Sequence, residues 1–407
     1  MTTTPIFRRP VRIRFRFLAI IAVAVVLVYR LWLFPPAQSW LPLTAREGRA
    51  PVLDANSTLG FGAIYVVSKA DSPRRHGLLQ AANVTDIDLT IPSQPKWTEK
   101  DFGSPERKSS RGSLLAWLGH LHLLRQFIDS GLESALILED DVDWDIRLRS
   151  LQAPLVSAAM RTVLASRSGS SAKSSWSSDD IDYYSDDAAA RYPYGDPSLW
   201  DLLYMGHCGD YFHGMDRGFE AGHVRPKDLA AVQHLSFNDT SLPDFDNLHP
   251  WTASLLTNLG VPVHTRLVHR SIFPLCTFAY AVTRHSARRL VEELASLERT
   301  DHAAYDVAIL ISCREGGLRC WSVNPELFHH QPGKSMIAGI DNSTHLPPVD
   351  AKAKDQVELR GETPNIDCGF WDGAFAFDDG DDKTLKYLQK EVGRKGRCLK
   401  PGRELPR

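Results

Sequence analysis

Four acidic residues occupy five consecutive positions in the middle of the chain, directly after a short apolar segment. With one further acid, the cluster in the run ILEDDVDWD comprises Glu139, Asp140, Asp141, Asp143 and Asp145. Carboxylates this close repel one another, so either some become protonated or a divalent cation lies between them. Oxygen ligands suit Mg²⁺ or Mn²⁺, which also bind substrate phosphates. The cluster therefore predicts a cation site, with a nucleotide diphosphate as a natural further ligand.

The position of the cluster indicates which carboxylates would act together. An apolar strand predicted over residues 135–138 precedes it, and open α/β sheets bind ligands at the carboxyl ends of their strands. In an extended chain Glu139 and Asp141 share one face while Asp140 points to the other, and Asp143 joins the first two if the chain stays extended. We expect Glu139, Asp141 and Asp143 to be the metal ligands. The alternative is a solvated acidic turn or a helix start, where acids are also favoured.

Apolar patterns on both sides of the cluster predict the elements that position it. The run GAIYVVS (62–68) is typical of a buried parallel strand, and a helix is expected over 74–82. A second helix over 113–132 has Ser113 as its expected cap and Gly131 at its end. Strand, helix, helix, strand predicts an α/β domain with a mixed, mostly parallel sheet. Further strands are expected in LWDLLYMG (199–206) and through Tyr280, followed by a helix over 287–297.

The beginning of the chain predicts a membrane anchor. Residues 1–16 contain five arginines and no acid, and residues 17–34 are apolar except for Arg30. A span of about 18 residues is the lower limit for crossing a bilayer, and the positive flank predicts a cytoplasmic N-terminus. We expect a cytoplasmic tail (1–16), a transmembrane signal anchor (17–34) and a stem (35–58) in a single-pass type II protein of the Golgi or ER membrane. A cleaved signal peptide is the alternative.

Sequons and cysteines also favour a lumenal location. All six cysteines follow residue 58, as expected for an oxidising compartment, and Cys313 with Cys320 would close the shortest loop. A zinc site is the alternative use of the cysteines, but no C-x-x-C pair is present. Four N-x-[ST] sequons would accept glycans only in the secretory lumen, at Asn56, Asn83, Asn238 and Asn342.

Composition excludes one class of partner and divides the rest of the chain. The net charge of -2 with 24% charged residues gives no basic excess for nucleic-acid binding. A catalytic domain is expected over 59–345. Within it the serine- and aspartate-rich stretch 166–190 predicts a disordered insertion. Residues 346–407 form a C-terminal extension that is either a disulfide-tied cap or a tail.

Four segments in this order resemble glycosyltransferase family 25, the group of lipooligosaccharide and collagen galactosyltransferases. They are IYVVSKADSPRR, GSLLAWLGHLHLLRQFIDSGLESALILEDDVDW, WDLLYMGHCG and FAYAVTRHSARRL. The chain departs from the family at Ala279, where a glycine is usual, and at Gly119, where a serine is frequent. These departures bear on the acceptor more than on the donor.

The resemblance implies a GT-A-like fold, a UDP-sugar donor (most often UDP-galactose), Mn²⁺ or Mg²⁺ at the acidic motif, and inversion at the anomeric carbon. Inversion needs a carboxylate base for the acceptor hydroxyl. Asp306 in AYDVAIL lies where the family has an aspartate and is the expected base, with a helix N-cap as the alternative; Asp143 is the second catalytic candidate. The residues expected to bind the donor are Val66, Ser68, Arg74, Arg75, His120, Tyr204 and Gly206. Of these, Arg74 and Arg75 could instead be surface residues and His120 a core histidine.

Together these patterns predict a metal-dependent inverting glycosyltransferase that moves a hexose, expected to be galactose, to a glycan or glycoprotein acceptor. One alternative is a catalytically inactive lumenal protein that binds glycans or nucleotides. Another is a metal-dependent phosphoesterase, which would need more metal ligands. No G-x-S-x-G, no H-E-x-x-H and no histidine at metal spacing follows the acids.

Overall fold

The computed structural model describes residues 54–104, 107, 109–165, 174–181, 187–210, 212, 224–331 and 361–403. These residues belong to one compact unit. Within these ranges, no helix combines the length and the hydrophobicity of a membrane span. The predicted tail and anchor, most of the predicted stem, and the sequon at Asn342 lie outside the described residues.

A mixed sheet lies at the centre of the described part. Its eight strands are β1 (Ala63–Val67), β2 (Ser134–Glu139), β4 (Ser175–Trp176), β5 (Leu202–Gly206), β6 (His234–Asn238), β7 (Thr265–Arg270), β8 (Ala279–Thr283) and β9 (Cys320–Asn324). They follow the order β1-β2-β8-β5-β9-β7-β6-β4. Of these described strands, only β7 and β8 run against the other six. The predicted mixed, mostly parallel α/β sheet is confirmed.

Two short strands form a separate antiparallel ribbon, β3 (Val142–Trp144) with β10 (Phe328–His330). The described α-helices are α1 (Arg75–Val84), α2 (Arg111–Ser130), α3 (Ala153–Ala165), α4 (Asp187–Arg191), α5 (Pro226–Ala230), α6 (Pro250–Leu259), α7 (Arg284–Arg289), α8 (Tyr305–Arg314) and α9 (Asp382–Leu388). A π-helical turn precedes α3, and two others extend α7 and α9.

Helices cover both faces of the sheet because its strands are apolar on both faces. Ile64 and Val66 of β1 pack into one core with α1 and α3. Tyr65, the residue between them, packs into the other core with α2, α7 and α8. This alternation places β2 residues in the same two cores, so that the last residue of β2, Glu139, faces the α2 side.

Helix α2 starts earlier than expected. Ser110 is its N-cap, and its side chain accepts a hydrogen bond of 3.1 Å from the backbone N–H of Ser113. The prediction of Ser113 as the cap is therefore wrong by one turn. Gly131 ends the helix with a φ of 76°, as expected for a left-handed cap.

Described parts of the predicted insertion and of the C-terminal extension, which the sequence left open as a disulfide-tied cap or a tail, both pack into the fold. Within the predicted insertion 166–190, the described residues 174–181 carry β4, which pairs in parallel with β6, and Trp176 is buried. From the C-terminal extension, Phe370, Phe375 and Val392 pack into the core beside α1. Both segments have a polar composition, but several of their hydrophobic side chains are buried in the core. The described parts of both segments are thus integral to the domain.

The cysteines form three disulfides, Cys208–Cys276, Cys313–Cys320 and Cys368–Cys398. The sequence left the pairing open and singled out Cys313 with Cys320 only as the shortest loop to close, and this pair is formed. No cysteine is free, so none is left as a thiolate for zinc. Three disulfides fit a secreted or lumenal protein. The described sequon asparagines are all exposed, at Asn56, Asn83 and Asn238.

Candidate functional site

The acidic motif forms a tight turn instead of an extended strand. Strand β2 ends at Glu139, the chain turns at Asp140 and Asp141, and β3 begins at Val142. This turn brings a carboxylate oxygen of Glu139 and one of Asp141 together with a ring nitrogen of His330, all within 4.8 Å of one another. The expected pairing of Glu139 with Asp141 is therefore present, but the third potential ligand is a histidine.

His330 enters the site through the β3–β10 ribbon. It pairs with Val142, and its Nε2 lies 3.5 Å from Oδ1 of Asp141. The sequence has no histidine at metal spacing after the acids, but the fold brings His330 to them. The adjacent histidines His329 and His330 were the available signal in the sequence. Because they lie far along the chain from the acidic motif, the sequence did not show that His330 and Asp141 are neighbours.

The facing atoms of Asp141 and His330 lack hydrogen bonds. Oδ1 of Asp141 and Nε2 of His330 are both buried, and neither has a hydrogen-bond partner among the described residues. A buried polar atom left without a partner costs about 1–3 kcal/mol. Two such atoms facing each other beside a second carboxylate fit a cation that all three side chains coordinate.

Electrostatics also favour a cation here. Burial raises the pKa of Asp141, and the nearby Glu139 carboxylate raises it further against the opposing effects of His330 and Arg74. For Glu139, burial alone would raise the pKa, but the hydrogen bond and the charge of His120 lower it. The site thus holds one carboxylate stabilised as an anion and a second that resists ionisation. A divalent cation would stabilise both as anions.

The turn after β1 supports the acidic turn. Ser68 donates a hydrogen bond of 2.6 Å to Oδ2 of Asp140, which holds that carboxylate away from the cluster. Arg74 Nη1 lies 2.9 Å from Oδ2 of Asp141. Arg75 donates to the backbone oxygens of Ser68 and Lys69. Ser68 and Arg74 therefore lie at the site as expected, whereas Arg75 braces the turn.

Asp143 lies away from the cluster, which corrects its predicted roles as metal ligand and catalytic residue. Its carboxylate accepts hydrogen bonds from the Thr363 hydroxyl at 2.7 Å and from the backbone N–H groups of Trp144 and Phe370, each at 2.8 Å. The turn at Asp140 and Asp141 breaks the alternation that would have placed Asp143 beside Glu139. Burial raises its pKa, and Thr363 and the backbone donors oppose that shift. Asp143 is an anchor for the C-terminal segment.

Asp306 lies in the first turn of α8, near Glu139. The N-cap of this helix is Ala304, so Asp306 is not the cap. Burial raises the pKa of Asp306, the backbone N–H of Val307 opposes that shift, and the negative charge of Glu139 adds to it. A half-buried carboxylate with a raised pKa is suited to accept a proton.

His120 is buried and lies against the site. Its Nε2 is 3.4 Å from Oε1 of Glu139, and its ring stacks on Tyr305. The interpretation as a core histidine and the interpretation as a site residue thus both hold in part.

The remaining predicted donor-binding residues are packing residues. Val66 and Tyr204 are fully buried in the two cores. A Cβ at Gly206 would lie 2.6 Å from the Cβ of Ala279, so close packing of β5 on β8 requires a glycine there. Hydrophobic contacts across the sheet account for Val66, Tyr204 and Gly206, and their contact with a donor stays a prediction.

No model of a protein family matches the chain, and a search of curated proteins found no match. The inference of function therefore depends on the chemistry of the cluster formed by Glu139, Asp141 and His330.

Proposed function

We propose that the chain is a metal-dependent glycosyltransferase that uses a nucleotide-sugar donor. The observation that carries this proposal is the cluster of Glu139, Asp141 and His330, in which two buried atoms face each other without hydrogen-bond partners. The cluster follows a strand of a mixed α/β sheet, at the edge where such sheets bind ligands. Arg74 supplies a positive charge directly beside it.

Glu139, Asp141 and His330 would hold the cation. A mixed set of two carboxylates and one imidazole favours Mn²⁺ over Mg²⁺, because Mg²⁺ prefers oxygen ligands and imidazole suits transition metals. When bound, the cation would neutralise charge on the diphosphate that leaves the sugar.

The charged residues around the cluster supply the other functions of a transferase. Arg74, whose side chain is 22% exposed, can donate two parallel hydrogen bonds to diphosphate oxygens. Asp306 is the proposed base that accepts the proton of the acceptor hydroxyl as the new glycosidic bond forms. The protonated Asp306 then returns this proton to solvent. Attack by the hydroxyl from the side opposite the diphosphate inverts the anomeric carbon.

The donor, acceptor and compartment complete the proposal. The four motifs that resemble glycosyltransferase family 25 favour a GT-A-like fold and a UDP-sugar, with galactose as the sugar and a glycan or glycoprotein as the acceptor. Disulfides and exposed sequons support a lumenal catalytic domain. The apolar run at 17–34 supports a type II anchor in the Golgi or ER membrane.

A metal-dependent phosphoesterase is the second candidate. His330 favours it more than the sequence did, because clusters of carboxylates with histidine also hold the metals of hydrolases. The described residues provide a single such cluster beside the sheet edge, with three potential ligands. Two-metal phosphoesterases need a second cation about 3.5–4 Å away, which this ligand set does not provide.

The test uses the full-length chain, purified in detergent, with a panel of nucleotide sugars and with Mn²⁺, Mg²⁺, Zn²⁺ or EDTA. Release of the nucleoside diphosphate and calorimetric binding of the cation are measured. The informative variant is Asp141→Asn, and the matched control is Asp140→Asn, because Asp140 is the neighbouring acid that bonds to Ser68 outside the cluster. We expect turnover of one UDP-sugar with Mn²⁺, its loss in Asp141→Asn and its retention in Asp140→Asn.

Other results would redirect the assignment. Folded protein that binds no divalent cation and no nucleotide sugar would exclude the transferase proposal. Donor binding without turnover, even with candidate acceptors, would favour the inactive binding protein. Hydrolysis of phosphate esters without any use of nucleotide sugars would favour the phosphoesterase.

A further inference from the structure

A line of hydrogen bonds runs through the protein interior to Glu139. The Tyr305 hydroxyl lies 2.7 Å from the Tyr280 hydroxyl, and the latter lies 3.3 Å from Nδ1 of His120. Nε2 of His120 lies 3.4 Å from Oε1 of Glu139. These residues come from α8, β8, α2 and β2, so the line runs through the core on the α2 side of the sheet to the end of β2.

The line is rigid because its members are buried and stacked. Tyr280 is fully buried, and His120 and Tyr305 are 2% and 3% exposed. The ring centroids of His120 and Tyr305 lie 4.4 Å apart with an angle of 10° between the planes. The stack and the burial thus place the His120 ring between Tyr280 and Glu139.

The chemistry of Glu139 fixes the direction of its contact with His120. The carboxylate of Glu139 only accepts, so Nε2 of His120 must donate to it. The hydroxyl of Tyr280 contacts the other ring nitrogen, Nδ1, and the hydroxyl of Tyr305 contacts that of Tyr280. Both tyrosines therefore lie behind the nitrogen that donates to Glu139.

We propose that Tyr280 and His120 are positioning residues that hold the Glu139 carboxylate in the orientation required to bind the cation. This inference rests on the proposed cation site and extends it to two residues that do not touch the cation. Tyr280 holds the His120 ring at Nδ1, and His120 directs Oε1 of Glu139 through Nε2. Partners of this kind around metal ligands typically change metal affinity by about 10–100-fold when they are removed.

Two phenylalanine variants separate positioning from stability. Tyr280→Phe and Tyr305→Phe each remove a buried hydroxyl, and each breaks the same hydrogen bond between the two tyrosines. Only Tyr280→Phe also removes the hydroxyl that contacts His120. We expect both variants to lose melting temperature, Tyr280→Phe more because it loses a second contact, but a weaker Mn²⁺ affinity, by about 10-fold, only in Tyr280→Phe. Tyr194→Phe is a remote control, since the buried Tyr194 hydroxyl bonds to the backbone of Leu59.

Variants of His120 test the same idea by rescue. His120→Leu removes the donor to Glu139, and we expect Mn²⁺ to bind about 10–100-fold more weakly. His120→Gln keeps an N–H group at a similar reach, and we expect it to recover part of that affinity. All variants are measured as the full-length chain, by calorimetric titration with Mn²⁺ and by thermal unfolding without metal.

The outcomes distinguish this inference from the proposed function. If the unsubstituted chain binds no Mn²⁺, the cation site itself is wrong. If that chain binds Mn²⁺ but Tyr280→Phe and His120→Leu bind it equally well, the positioning role is excluded while the cation site stands. Equal losses of Mn²⁺ affinity in Tyr280→Phe and Tyr305→Phe, in step with lost stability, would reduce the line to a structural role.

Discussion

Exchange of Asp143 for asparagine gives the sharpest test of how the acidic motif is used. Each of its oxygens accepts two hydrogen bonds, one oxygen from the backbone of Trp144 and Phe370, the other from Thr363 and the backbone of Trp371. Asparagine has one acceptor oxygen, so two of the four bonds are lost. Bonds to a charged group contribute about 1.5–3 kcal/mol each, which gives a loss of about 3–6 kcal/mol.

Part of this loss is recovered, because the variant no longer buries a charge whose pKa burial raises. We expect the free energy of unfolding to fall by about 2–4 kcal/mol and the melting temperature by roughly 3–6 °C. The folded fraction of Asp143→Asn should bind Mn²⁺ with unchanged affinity. Asp141→Asn is the matched variant. It should bind Mn²⁺ more weakly because it removes a proposed ligand, and it should not lose stability because it also removes repulsion from Glu139 and Asp140.

Thermal unfolding and calorimetric Mn²⁺ titration of both variants distinguish a structural role of Asp143 from a role as metal ligand. An Asp143→Asn protein with unchanged melting temperature but lost Mn²⁺ binding would refute this reasoning and restore Asp143 as a ligand.

The remaining predictions concern pH, the base, the cation and the glycans. Burial alone would raise the pKa of Glu326, but the hydrogen bond and charge of His329 lower it to about 2. Since the pKa in the unfolded chain is about 4.3, this pair stabilises the fold above pH 4.3, and the stabilisation is lost as the pH falls toward 2. The difference in unfolding free energy between the unsubstituted chain and Glu326→Gln should therefore shrink by up to about 3 kcal/mol between pH 6 and pH 2. Asp306→Asn should lower kcat by about 10²–10⁴-fold with little change in Mn²⁺ affinity, and retained kcat would exclude Asp306 as the base. Mn²⁺ at 100 times its Kd should stabilise the chain by about 2.7 kcal/mol, and EDTA should reverse this; an unchanged melting temperature in scanning calorimetry would contradict a folded-state cation site. When the chain is expressed in a secretory host, glycosidase treatment should lower its mass. This loss should become smaller, step by step, as the exposed sequon asparagines are exchanged for glutamine. An unchanged electrophoretic mobility after glycosidase treatment would contradict lumenal exposure of Asn56, Asn83 and Asn238.

Local patterns predicted most elements around the site. The apolar runs that became β1, β2, β5 and β8 and the leucine spacing of α2 depend on neighbours within a few residues, so the sequence contains their signal. The order of these elements also predicted the α/β class. The short separation of Cys313 and Cys320, which are 7 positions apart, also singled them out as the shortest loop to close.

The ligand set of the site depended on contacts that local pattern does not encode. Strict alternation along a strand predicts that Asp143 lies beside Glu139. The turn at Asp140 ends that alternation, and the Asp143 carboxylate instead accepts a hydrogen bond from Thr363 of the C-terminal segment. His330 reaches Asp141 only because β10 pairs with β3. Such pairing rests on backbone hydrogen bonds, which all residue types except proline offer alike. Side-chain periodicity therefore shows that a strand exists but not which distant strand it joins. The sequence alone thus determined the fold class and the location of the acidic motif, and the tertiary structure decided which side chains meet there.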